Sequence, residues 1–334
     1  MAEWLFEEGI GENRAALIED GAIIEAHLEP HNFAAQAGMI CEAKLVEILP
    51  NKRTGRIELE SGEEALIDPI PTGISEGASS LVEIIRSAIP EPGRRKRALA
   101  RSVEKGRSVQ SAPTLRNRLT TTDVPVRTIN GHDRDALGTS GWIELLEQAA
   151  TGAVLFSGGA LRIALTPAMT VIDVDGALPP AELAIAGARS AGAAIRKFDI
   201  GGSTVIDLPS LSAKSDRQAA VEALDDALPR PFERTAVNGF GLLQVVRRRT
   251  RPSLLETVQY ESAATAARAL LRTGERTAGS GDRTLAAHPA VITQLHEHPD
   301  WLETLERRIG ASVITQVDPA LGLWSGHASA AQPS

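Results

Sequence analysis

Short runs of alternating apolar and polar positions, separated by turn residues, fill the first hundred residues of the chain. Arg14-Ala15-Ala16-Leu17-Ile18 and Ala22-Ile23-Ile24-Glu25-Ala26 flank Glu19-Asp20-Gly21, which predicts a hairpin within residues 3–28. Four further strands are predicted at Met39–Ile48, Gly55–Leu59, Glu64–Ile67 and Ser80–Ile85, a spacing that suits a small closed barrel. Residues 91–125 are polar, basic and turn-rich, and a helix is expected near Gly141–Glu147. The pattern then changes. Met169–Asp175 and Ser203–Leu208 are apolar, β-branched runs that end on carboxylates. Between them Pro179-Pro180-Ala181-Glu182 opens an alanine-rich stretch to Lys197, and Gly201-Gly202 follows it, so the segment reads strand, helix, strand. Ala220, Val221, Leu224 and Leu228 give Asp216–Leu228 one apolar helical face. Residues 260–320 predict a small α/β unit with helices at Ala263–Arg272, Pro289–Leu295 and Trp301–Ile309 and a strand at Ala311–Val317. Gly326–Ser334 reads as a disordered tail.

If the two aspartate-tipped strands pair, Asp173 and Asp207 lie together, and two such carboxylates repel unless they share a proton or a cation. A hard divalent ion such as Mg²⁺ relieves that repulsion and uses one or two carboxylates plus water and phosphate oxygens. Aspartate after a strand is also a common turn and capping residue, so spacing alone leaves both readings open.

The 334 residues and 43% hydrophobic content provide a sizeable core, built mainly from aliphatic side chains because aromatics make up only 3%. Cys41 is the single cysteine, which excludes an internal disulfide and a multi-cysteine zinc site and fits a reducing, cytoplasmic setting. Met1–Glu8 lacks the basic front and apolar stretch of a signal peptide, and no apolar run approaches spanning length, so no membrane association is expected. The net charge of −8 disfavours indiscriminate nucleic-acid binding, yet the basic residues cluster. Arg94–Arg118 holds nine Lys or Arg against one acid, Glu104, and Arg247, Arg248, Arg249 and Arg251 form a second group, the footprint of a polyanion binder.

Ser157-Gly158-Gly159, Ile172-Asp173-Val174-Asp175, the string from Arg196 to Asp207, Phe240-Gly241-Leu242-Leu243 and Arg251-Pro252-Ser253-Leu254 together resemble the catalytic region of the ribonuclease E/G family. The resemblance implies an α/β and α+β multidomain chain: an N-terminal hairpin (1–35), an oligonucleotide-binding-type β-barrel (36–100), a basic connector and helix (101–150), a catalytic α/β domain (151–254), a small C-terminal α/β domain (255–325) and a tail (326–334). It implies a Mg²⁺-dependent endoribonuclease that hydrolyses single-stranded RNA to 5′-phosphate and 3′-hydroxyl ends in RNA processing or decay. Asp173 and Asp207 are then the metal ligands, Asp175 assists, and Lys96, Arg247, Arg248, Arg249 and Arg251 hold RNA.

The departures from the family pattern shape a second expectation. Asp175 stands where the family has asparagine, and Ser210 where it has a second acid. The cysteines that share zinc between subunits are missing, so no zinc link is expected and any homodimer must rely on other contacts. The barrel's two RNA-stacking aromatics fall on Ile57 and Ile67. Most of the monophosphate-sensing and ribonuclease H-like domains are absent. Val126-Arg127-Thr128 copies a sensor tripeptide, but in surroundings that do not match and read as loop. Either Arg230 or Arg234 matches the family arginine that follows the second aspartate. These changes support an alternative, a catalytically weak or inactive RNA-binding or assembly protein on the same scaffold. His296-Glu297-His298 places its two histidines on different sides of a helix, which does not suit a shared metal.

Overall fold

The computed structural model describes residues 1–31, 34–104 and 106–331. The first third of the chain is all strand: β1 (Glu3–Glu8), β2 (Glu12–Glu19), β3 (Ala22–Pro30), β4 (Ile40–Ile48), β5 (Gly55–Leu59), β6 (Glu64–Ile67), β7 (Ser79–Arg86), β8 (Ile89–Glu91), β9 (Arg94–Lys96) and β10 (Ala98–Ser102). Next come α1 (Leu115–Leu119), β11 (Val126–Ile129), α2 (Ala136–Thr139) and α3 (Trp142–Thr151). The middle holds β12 (Ala153–Phe156), β13 (Gly159–Leu165), β14 (Thr170–Gly176), α4 (Pro180–Lys197), β15 (Gly202–Asp207), α5 (Lys214–Ala227), β16 (Glu233–Arg234) and β17 (Leu242–Arg247). The last part contains α6 (Leu254–Tyr260), α7 (Ser262–Arg276), β18 (Arg283–Ala287), α8 (Pro289–Glu297), α9 (Pro299–Ile309), β19 (Val313–Val317) and β20 (His327–Ala330). The fold is mixed α/β with a closed five-stranded barrel. Among the described residues no helix is long and apolar enough to cross a membrane.

The chain divides into two compact units. One comprises residues 1–32, 122–146 and 257–334. Its first sheet has the order β11-β1-β2-β3, and the β2–β3 turn carries positive φ at Asp20 (50°) and Gly21 (80°), which matches the twist of the flanking strands. A hairpin cannot bury its own apolar face. Here Ile10 packs with Leu270, Leu271, Leu295 and Leu305, so the N-terminal hairpin and the C-terminal helices share one core. Glu7 and Glu12 reinforce that join through Arg14, Arg268 and Arg272, all buried. Two observations correct the sequence reading. Val126–Ile129 is not loop but a strand parallel to β1, and Arg127 pairs with Glu3 at 2.9 Å. His327–Ala330 is not disordered but pairs antiparallel with β18; residues 332–334 lie outside the described residues. His288 caps α8, its Nδ1 accepting from the Ala290 amide at 3.1 Å.

The second unit comprises residues 33–121 and 147–256. The closed barrel has the order β10-β6-β5-β4-β7. Its core includes Leu45, Ile57, Leu59, Ile67, Val82 and Ile84. Cys41 is buried against the same core, and burial raises its thiol pKa, which leaves it an unreactive packing residue. The mixed sheet that follows has the order β12-β13-β14-β15-β17-β16. Its buried positions include Leu161, Ile172, Val174, Thr204, Ile206 and Leu243. The small residues of α4 let the helix approach closely. A Cβ on Gly187 would stand 2.3 Å from Cγ1 of Val174, and one on Gly192 would meet Leu224 and Ala227 of α5. Gly187→Ala is therefore expected to lower stability. Helix propensity returns about 1 kcal/mol, but overpacking a stiff β-branched neighbour costs about 1–3 kcal/mol. Denaturant unfolding of Gly187→Ala, Val174→Ala and the double variant checks this, the double variant recovering part of the Gly187→Ala loss.

Candidate functional site

β14 and β15 run parallel with Asp173 directly opposite Asp207. Side chains alternate along a strand. Because Ile172, Val174 and Ile206 face the helices, Asp173 and Asp207 both project from the other side of the sheet, on strands about 4.8 Å apart. Asp173 is half-buried and Asp207 exposed. The two carboxylates that the sequence reading joined are thus side by side on an open sheet face. Asp175 shares that face, two residues along β14. Arg162 on β13 lies opposite Asp173 and donates from Nε to Asp175 at 3.3 Å, so Asp175 already has a cation. Among the described residues no group of three or more His, Cys, Asp or Glu is arranged to hold a metal. The donor set is two hard carboxylate groups with no nitrogen or sulfur, which fits Mg²⁺ completed by water and phosphate oxygens and does not fit structural zinc.

The loops around the pair are fixed by backbone. Asn238 Oδ1 accepts from the amides of Phe240 (2.9 Å) and Leu242 (3.0 Å), an Asx-type turn. Gly241 has φ of 90°, and a Cβ there would lie 2.1 Å from the carbonyl oxygen of Leu208, the residue after Asp207. The Leu208 amide in turn donates to the Gly241 carbonyl at 3.1 Å. Leu242 pairs with Asp207 across β17 and β15. Ser210 is exposed in the loop beyond.

The basic residues divide into two kinds. Arg247 donates to the carbonyls of Ile195 (3.3 Å) and Ile200 (3.1 Å), and Arg251 donates to the carbonyl of Ala37 at 2.8 Å. Arg249 pairs with Glu256, whose other oxygen accepts from the amide and hydroxyl of Ser253. These three of the expected RNA-binding arginines are engaged in holding loops together, which the charge pattern could not reveal. Arg248 is exposed and makes no hydrogen bond or ion pair among the described residues. Lys96, on the β8–β9 hairpin, is half-buried opposite Ile89. The Nε atoms of Arg86, which the sequence reading does not single out, and of Arg249 are buried without partners among the described residues, as are guanidinium nitrogens of Arg268, Arg276 and Arg283. Burial, and then the nearby Arg249, holds Arg86 below the ordinary arginine pKa.

Ile57 and Ile67 are 2% and 1% exposed, inside the barrel, so they offer no surface to a base. Of the two candidate arginines, Arg234 is tied to Asp225 by bonds of 2.7 and 2.5 Å, whereas Arg230 is exposed with its guanidinium 5.1 Å from the Phe232 ring centre. His296 contacts Thr315 and His298 stacks on Trp301, so the two histidines point to different neighbours.

Comparison with known proteins agrees with this region. Residues 128–250 match the model of the Ribonuclease E/G family. Over 192 residues the chain is 29% identical to "Ribonuclease G" of Escherichia coli (strain K12), of Shigella flexneri and of Salmonella typhimurium (strain SL1344). The aligned segment takes in 49% of this chain and 39% of each relative, so the match spans about two fifths of those proteins' length. The matched residues contain both aspartates, the strand-helix-strand between them and the 238–241 turn, so the likeness to the Ribonuclease E/G family falls on the candidate site itself.

Proposed function

We propose that this chain is an endoribonuclease that hydrolyses phosphodiester bonds of single-stranded RNA, dependent on Mg²⁺, leaving 5′-phosphate and 3′-hydroxyl ends. The observation that carries the reading is the in-register pairing of Asp173 with Asp207 on an open face, within the segment that matches the family. A pure binding protein gains nothing from two like charges presented to a polyanion. Asp173 and Asp207 are the residues that would hold Mg²⁺, which when bound lowers the pKa of a coordinated water and offsets charge at the phosphate. Arg162, opposite Asp173, neutralises Asp175, so the RNA backbone meets two rather than three uncompensated carboxylates. Arg248 and Lys96 supply backbone contacts. The cytoplasmic setting and the absence of a zinc link belong to the same reading.

End mapping of the products tests this: ligatable 5′-phosphates and 3′-hydroxyls are expected, and cyclic phosphates would rule out a metal-activated water. The second reading, a weakly active RNA-binding protein, is favoured by the ion pair that occupies Asp175.

The division among the arginines gives a separate prediction. Arg248→Ala should flatten the salt dependence of RNA affinity, by about 0.7 in the log–log slope if one phosphate contact is lost. Arg247→Ala and Arg249→Ala should instead lower the melting temperature, since each removes an internal bond. Filter binding across a salt series, beside thermal melts, separates the two classes.

A further inference from the structure

We propose that Phe240 is a stacking platform for a base of the RNA strand next to the bond that is cut; the proposal rests on the ribonuclease reading above. Most aromatic side chains of the described residues are inside: Trp4, Phe6, Trp142, Phe198, Phe232 and Trp301 are all buried. Trp324 is 40% exposed, whereas Phe240 is 81% exposed. A phenyl ring so placed contributes little to folding. Yet its backbone is held firmly. The Asn238 side chain fixes the amides on both sides of Gly241, and Gly241 is clamped on the backbone of Leu208. The clamp falls on the residue that follows Asp207, and β17 leaves the turn with Leu242 in register with Asp207. A rigid turn thus presents an aromatic ring beside one of the two carboxylates.

The chemistry that fits is a nucleobase. Single-stranded nucleic acid is held by stacking on exposed aromatics beside a charged track, and the contact tolerates any base because each has a π-face. The barrel cannot supply that contact through Ile57 and Ile67, which are inside it. Phe240 supplies it at the carboxylate pair itself, where it would orient the strand and set its register. It is a positioning residue: it holds a neighbouring base and touches no reacting atom.

The test compares wild type with Phe240→Ala, Phe240→Leu and Phe240→Trp. Affinity is read in EDTA on single-stranded RNA carrying 2-aminopurine, and single-turnover cleavage in Mg²⁺ at subsaturating enzyme. Thermal melting should be unchanged in all three variants. Phe240→Ala should bind about five- to 150-fold more weakly and fail to quench 2-aminopurine at one position. Phe240→Leu should behave like the alanine variant, because it keeps apolar area without a π-face, and Phe240→Trp should match wild type. RNA affinity and cleavage unchanged in the alanine and leucine variants, with wild type active, would overturn the proposal alone. So would a change in sedimentation without a change in RNA affinity, which would assign the ring to contact with a second copy. A wild type that neither binds nor cleaves RNA would instead overturn the ribonuclease reading.

Discussion

Glu7→Gln is expected to lower the stability of the unit formed by residues 1–32, 122–146 and 257–334 by about 3–5 kcal/mol. Glu7 is buried and accepts from Arg14 at 2.6 Å, from Arg272 at 2.8 Å and from Arg276 at 2.7 Å. Glutamine fills nearly the same volume, so the change is electrostatic: it removes the one carboxylate that these three guanidinium groups share. Arg272 retains Asp135 and Arg14 retains Glu12, which keeps the loss finite. The same cluster sets a pH dependence. Burial alone would raise the Glu7 carboxyl, but the guanidinium groups of Arg14, Arg272 and Arg276 outweigh it, and the net shift is below the ordinary value of 4.5. Asp135 is likewise lowered, burial opposing and Arg272 prevailing. A group whose pKa is depressed by folding contributes fully above its unfolded value and loses that contribution as pH falls through the folded one. Wild-type stability should therefore be flat near neutrality and fall below about pH 4.5. Glu7→Gln should start lower and fall less steeply. Urea unfolding at pH 7 and through the acid range measures both.

The second large effect concerns chemistry. Asp207→Asn and Asp173→Asn should each reduce RNA cleavage by about 10³-fold or more, since each removes one of two charges that hold the cation and the ion's contribution to the barrier is several kcal/mol. Both changes conserve volume, so melting temperatures should hold or rise slightly as the repulsion between adjacent carboxylates is relieved. Asp175→Asn should cost far less, because Asp175 is exposed and engaged with Arg162. RNA affinity in EDTA should increase in the Asp173 and Asp207 variants, as a negative charge is removed near the strand. Loss of cleavage with retained or improved binding marks the pair as acting on the reaction and not on folding or capture.

The parts of this structure that were legible in the sequence are those where local chemistry and tertiary packing agree. The Asp20-Gly21 turn, four barrel strands and the register of the aspartate-tipped strands follow from β-branched runs and turn residues. α4 follows from its prolines and alanines. The fifth barrel strand, Ala98–Ser102, was hidden because alanine, arginine and serine carry no strand signal, and only pairing with β6 and β7 makes it one. Val126–Ile129 is different: three of its four residues are β-branched, and it reads as loop only because its partner β1 lies far away in sequence. The arginine roles were not legible at all. A run such as Arg247-Arg248-Arg249 looks uniform, yet alternation and contact with Ile195, Ile200 and Glu256 give each a different role. Arg268 and Arg272 depend on partners more than two hundred positions away.

In the proposed reaction the Asp173–Asp207 pair cleaves RNA through a bound divalent ion. Its most direct test is single-turnover cleavage of one end-labelled single-stranded RNA by wild type and by the Asp173→Asn/Asp207→Asn double variant, in Mg²⁺ and in EDTA. Cleavage is expected from wild type in Mg²⁺ alone, saturating with ion concentration, and none above background in the other three reactions. Cleavage that persists in EDTA, or in the double variant, would contradict it.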